Sequence, residues 1–309
     1  MSQLKINFVD FWRSFNKTDN YFYHLLSSKY DVIIDEEKPD LLFFSVDYAR
    51  HRQRDRYQNH SCKRIFYTGE NVRANLDFPG SIECERYSIG KADFAFTFDH
   101  SEDPRQYRLP LWTLFINWFS LPHNDNRDPS YLISCDSLLR RNISPKERFC
   151  NFIFSNPSGE RINILKSLLK YKKVDCAGSL MNNTGHKIKG RGDQKHKIEF
   201  LENYRFTVAA ENSSFPGYTT EKILHPFSVG SIPIYWGSDR VSDDFNKNAF
   251  INVADYDTIE DMVENIKRIE ENEEEYYAYL REPVFVDNQI PATALPQNVL
   301  SFFEERVLC

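Results

Sequence analysis

The chain has 309 residues, 41% hydrophobic and 27% charged, with a net charge of −6. That length suits two domains of ordinary size, and charges interrupt every apolar run before the roughly 18 residues a bilayer span needs. The acidic balance argues against a general nucleic-acid binder, and six scattered cysteines without a CxxC pair read as reduced, mostly buried thiols.

The opening residues, Met1-Ser2-Gln3-Leu4-Lys5, run straight into a strand-like segment and carry no signal-peptide pattern. A soluble, cytoplasmic protein with at most peripheral membrane contact is expected. Short apolar runs then alternate with amphipathic stretches, the pattern of an α/β chain with largely parallel sheets. In the first half, 5–11, 31–34, 41–46, 64–67 and 94–98 read as strands, and 21–30 as a helix between the first two. A polar passage follows, from Asn124-Asp125-Asn126-Arg127-Asp128-Pro129 through Arg140, Arg141 and Lys146. It sets the expected division into domains 1–145 and 146–309.

In the second half, 149–155 reads as a buried strand ended by Asn156-Pro157-Ser158-Gly159. A helix follows with Leu165, Leu168 and Leu169 on one face and lysines near its C-terminus, where cations suit the helix dipole. Strands at 174–177, 205–210 and 232–236 alternate with helices near 197–203 and from Thr220. Such βαβ winding binds ligands at the carboxyl ends of its strands. A long acidic helix over 259–279 and a terminal helix at 299–306 close the chain. The segment 296–307 is expected to pack back on the N-terminal domain.

The stretch from Phe206 to Leu224 is richest in chemistry. A strand ends in Glu211-Asn212, a glycine-containing loop follows, and a helix starts with Thr219 or Thr220 as cap. The free amides and dipole of a helix N-terminus suit a phosphate or diphosphate. Lys222 adds a positive charge there, Glu221 can accept from sugar or ribose hydroxyls, and Tyr218 can donate to a phosphate oxygen. A capped helix carrying a surface Glu-Lys pair fits the same residues. Gly230 reads as the helix stop, and Pro226 as a kink or early end.

Together Glu211-Asn212, Tyr218-Thr219-Thr220-Glu221-Lys222-Ile223 and Ile232-Pro233-Ile234-Tyr235-Trp236-Gly237 resemble the donor-binding block of the Lewis-type α1,3/α1,4-fucosyltransferases. Ile65-Phe66-Tyr67-Thr68-Gly69-Glu70-Asn71, the run from Arg105 to Leu111, and Ser155-Asn156-Pro157 with Arg161 fit the same family. The resemblance covers about 64–279. It implies the GT-B fold: two Rossmann-like α/β domains facing a central cleft, the C-terminal one holding GDP-fucose and the N-terminal one the acceptor. Carried across, Glu70 is the expected general base. Arg161, Lys222 and Tyr218 are the expected phosphate contacts, with Asn156 alongside. Asn212 and Glu221 are expected on fucose or ribose hydroxyls. A strand-end carboxylate capping a loop is the plainer reading of Glu70.

The implied reaction moves L-fucose from GDP-β-L-fucose, with inversion, to O3 of GlcNAc in a LacNAc- or Lewis-type acceptor. Transfer passes through an oxocarbenium-like transition state and needs a base for the acceptor hydroxyl. Asp255-Tyr256-Asp257 matches the metal-binding Asp-x-Asp text, but helix capping explains it better. No cofactor and no essential metal are expected, with Arg161, Lys222 and the helix N-terminus offsetting the leaving charge. Around Arg191-Gly192-Asp193, the residues Lys187, Lys189, Lys195 and Lys197 make a basic loop, some of which could face the diphosphate. Alternatives are α1,4 linkage, another nucleotide sugar on the same fold, or a non-catalytic glycan-binding module, against which the retained Glu70 speaks.

Overall fold

The structure, a computed structural model, describes residues 2–46, 53–71, 92–121, 132–188 and 194–309. It separates into two compact units: Met1–Leu114 with Ala292–Cys309, and Phe115–Pro291.

The first unit is built on an all-parallel sheet of β1 (Gln3–Val9), β2 (Asp31–Ile34), β3 (Leu41–Phe44), β4 (Lys63–Tyr67), β5 (Phe94–Thr97) and β6 (Gln106–Arg108), ordered β2-β1-β3-β4-β5-β6. Parallel strands are covered on both faces, so they read as unbroken apolar runs. All four residues of β3, Leu-Leu-Phe-Phe, are buried. Helix α1 (Tyr21–Ser27), capped by the Asn20 side chain on the Tyr23 amide, brings Phe22 against Phe43 and Phe96. The last helix of the chain, over Pro296–Phe302, joins the same cluster: the Phe303 ring beyond its end lies stacked on Phe96, 5.0 Å between centroids.

The second unit carries β7 (Arg148–Phe152), β8 (Val174–Cys176), β9 (Tyr204–Ala210), β10 (Ile232–Trp236) and β11 (Ile251–Asn252), all parallel and ordered β11-β10-β9-β7-β8. Around them run α2 (Cys135–Leu139), α3 (Gly159–Tyr171), α4 (Gln194–Leu201), α5 (Glu221–Ser228), α6 (Ile259–Glu271) and α7 (Glu273–Arg281); α8 (Pro296–Phe302) belongs to the first unit. The order turns at β7, with β8 on one side and β9 on the other. That is the switch point at which wound sheets open a crevice for ligands.

Three expectations change. The division falls at Leu114/Phe115, ahead of 145/146, and the described residues just before 146 are bound to the second unit. Arg141 Nη1 donates to the carbonyls of Tyr279 (2.7 Å) and Glu282 (3.2 Å), and its guanidinium covers the Phe227 ring. The acidic helix is broken in two at Asn272, whose side chain accepts from the Glu274 and Glu275 amides and so starts α7. Leu169 is 40% exposed: the inward stripe of α3 is Arg161, Ile164, Leu165 and Leu168, and a residue one step past it turns outward.

Candidate functional site

The spacing of that stripe places the first charged group. Positions 161, 164, 165 and 168 are related as i, i+3, i+4 and i+7, so Arg161 shares the buried face of α3 while lying at its first turn. Its guanidinium therefore sits at the carboxyl edge of the sheet. Nε and Nη2 donate to the Ala210 carbonyl (3.2 and 2.5 Å), and Nη1 to the Asn156 carbonyl (3.2 Å). Arg161 is 2% exposed. Burial lowers its pKa, opposed by the nearby charge of Glu211 and by Tyr218 and Glu221. Asn156 itself is exposed and meets Arg161 through its backbone.

One strand over, β9 runs fully buried and delivers Glu211 into the interior. A carboxylate there must be satisfied. Oε1 accepts from the Thr220 amide (2.7 Å) and hydroxyl (2.9 Å), and Oε2 from Lys222 Nζ (2.8 Å). Thr220 caps α5, and its hydroxyl accepts from Lys222 Nζ at 2.9 Å. The strand end, the cap and the first-turn lysine are thus one hydrogen-bonded unit. Glu221, the first residue of α5, is held low, to about 2: burial works against its charge, but the Lys222 and Lys197 charges outweigh it. It is ionised at any physiological pH. Lys222, with both carboxylates beside it, is raised despite burial.

Of the expected donor residues, the structure gathers Arg161, Tyr218, Glu221 and Lys222 around Glu211; Tyr218 is 2% exposed. Asn212 lies exposed at the start of the following loop. Glu211 was not among the expected site residues; the signal was available, since Phe206-Thr-Val-Ala-Ala-Glu211 puts a carboxylate on the end of an otherwise apolar run. Helix α5 ends two residues beyond Pro226. Gly230 then takes φ +69, and a Cβ there would lie 1.8 Å from the Asn142 carbonyl oxygen.

Glu70 belongs to the first unit, in the turn after β4. Its amide donates to Thr68 Oγ1 at 3.0 Å, and the residue is half-buried. A Cβ at Gly69 would meet Leu111 Cδ1 at 2.6 Å, so the glycine lets the Leu111 side chain pack against the turn. The Asp-x-Asp text does not cap the helix that follows: Thr258 caps α6 on the Asp261 amide, and Asp255 accepts from the Asn252 side chain. Among the described residues no group of three His, Cys, Asp or Glu side chains is arranged to hold a metal ion. Arg191-Gly192-Asp193 and Lys189 lie outside the described residues.

Two wound parallel α/β units, one with its charges collected at the switch point, follow the GT-B glycosyltransferase plan. Residues 143–284 match the model of glycosyltransferase family 10 (fucosyltransferase), C-terminal part, and residues 6–115 match the α-(1,3)-fucosyltransferase FucT N-terminal domain. The chain belongs to this fucosyltransferase family. It is 28% identical over 308 residues to an α-(1,3)-fucosyltransferase FucT of Helicobacter pylori, covering 90% of this chain and 60% of that protein. The chain thus spans well under two thirds of that relative's length. A solved α1,3-fucosyltransferase matches with TM-score 0.73 and 27% identity, covering 100% of this chain and 91% of the other. An α1,3-fucosyltransferase solved with GDP-fucose matches with TM-score 0.72 and 26% identity, covering 99% and 91%. No helix among the described residues is long and apolar enough to cross a membrane.

Proposed function

We propose that this chain transfers L-fucose from GDP-β-L-fucose, with inversion, to O3 of a GlcNAc residue in a LacNAc- or Lewis-type glycan. The cluster of Arg161, Glu211, Glu221 and Lys222 at the switch point of the second sheet carries the reading. In a single displacement the acceptor oxygen bonds to the anomeric carbon as the bond to the β-phosphate oxygen breaks. Glu70 takes the hydroxyl proton. Negative charge gathers on the leaving GDP, where Arg161, Lys222 and the positive end of the α5 dipole stabilise it. Tyr218 adds a phosphate contact, and Glu221 and Asn212 accept from sugar or ribose hydroxyls, with Asn156 holding Arg161 in line. The charge these groups supply is the work a divalent metal does elsewhere, so none is required.

The test is GDP release from GDP-fucose against lactose, LacNAc, lacto-N-biose and free GlcNAc, with and without EDTA. LacNAc is expected to be the best substrate and EDTA to leave turnover intact. Release with none of the acceptors would end the proposal, and loss in EDTA with rescue by manganese would end its metal-free part. Glu70→Gln should retain GDP affinity and turn over at least roughly a hundredfold more slowly, the scale on which positioned acid–base groups act.

A further inference from the structure

The described part of α4 has its own inward stripe, and a charge lies on it. Gln194, Ile198 and Leu201 are 3%, 6% and 1% exposed, and Lys197 stands at i+3 from Gln194 on the same face. Lys195, His196 and Glu199 on the other faces are exposed, while Lys197 is half-buried. The helix thus turns Lys197 toward β7, β9 and α5. Together with Lys222, His225, Asn151 and Thr207 it lines a void of about 20 Å³.

Two features set Lys197 apart from the cations already placed. Arg161 is occupied by the carbonyls of Ala210 and Asn156, and Lys222 by Glu211 and Thr220. The Lys197 ammonium makes no hydrogen bond or ion pair among the described residues. The carboxylates of Glu211 and Glu221 offset two of the three positive charges, which leaves one over. The void also faces polar groups that have no partner among the described residues: both ring nitrogens of His225 and the side-chain oxygen of Asn151, residues that are 0% exposed. Buried polar atoms are nearly always paired. A space of this size holds one water to serve them, which leaves the Lys197 ammonium itself without an anionic partner among the described residues.

We propose that Lys197 is the third cation of the diphosphate site, the one that no described carboxylate pairs with, and that it takes up a proton as a nucleoside diphosphate binds. This rests on the donor reading above. Burial lowers Lys197 to about 8; Lys222 pushes the same way, and Glu221 and Glu211 oppose it. His225, also in contact with this charge cluster, is driven well below its usual value by burial and is neutral. Near pH 8 about half the free molecules therefore lack the Lys197 proton. A diphosphate beside it favours the charged form and raises the pKa, so binding takes up a proton there and apparent affinity falls as pH climbs from 8 toward 10.

Calorimetric titration of the full chain with GDP at pH 8, in two buffers of different ionisation heat, reads this directly. Wild type is expected to take up about half a proton. Lys197→Met should take up none and bind GDP at least about tenfold more weakly, with guanosine affinity unchanged. Lys197→Arg, permanently charged, should restore GDP affinity without proton uptake. Melting curves of the free variants show that each is folded. GDP affinity and proton uptake in Lys197→Met equal to wild type would overturn the inference while leaving the donor reading intact. Absence of GDP binding by wild type would overturn both.

Discussion

Lys222 reaches its position because Glu211 waits for it. An ionised carboxylate in the interior is tolerated only when its lone pairs and its charge are met, and here Thr220 and Lys222 meet them. Removing one member of such a pair leaves the other uncompensated. Glu211→Ala should therefore lower the stability of the second unit by about 3 kcal/mol, read as a shift of the urea midpoint. A change below roughly 1 kcal/mol would place Lys222 in solvent-like surroundings. Glu221 and Lys222 were readable from the pattern, because a helix start rich in phosphate-binding groups is a local feature. Glu211 was quoted within the same motif, yet its function as the anchor was not, since nothing local distinguishes a strand-end carboxylate that turns inward from one that turns to solvent.

Among the elements, α5 depends on how it stops. Its last turn gives way to Gly230, whose left-handed backbone and contact with the Asn142 carbonyl leave no room for a side chain. Gly230→Ala meets both the strain of φ +69 and a clash with backbone. It should cost more than the roughly 1 kcal/mol of a left-handed alanine alone. Thermal melting checks this, and an unchanged midpoint would show that the 142 loop yields freely. The glycine was foreseen as a stop; its tight fit on a loop almost ninety positions upstream was not, because sequence spacing carries no information about which distant backbone arrives there. The acidic helix shows the converse. Glu270-Glu271-Asn272-Glu273 reads as one solvated helix, but Asn272 satisfies two amides of the next turn and begins a second helix with Tyr276 and Leu280 buried. Capping by asparagine competed with helix propagation and won.

For the whole molecule, the chain leaves its first unit at Leu114 and returns to it at Ala292. A ligand that binds only the native second unit stabilises that unit by mass action. GDP at a hundred times its dissociation constant should add about 2.7 kcal/mol, so the melting transition should move upward more with GDP than with UDP or CMP. Equal shifts with all three would remove guanine from the site. Alternation of apolar runs with amphipathic stretches determined, by itself, that this is an α/β chain with largely parallel sheets, because burial on both strand faces leaves an unbroken apolar signature. The motifs from Ile65 to Gly237 likewise determined the family. The return of 296–307 to the first unit was already expected. Only the tertiary structure decided that the chain after Leu114 belongs with the second unit and that Lys197 faces inward beside Lys222. Each of those depends on contacts between residues far apart in the chain, where packing chooses among faces that local preference leaves equivalent.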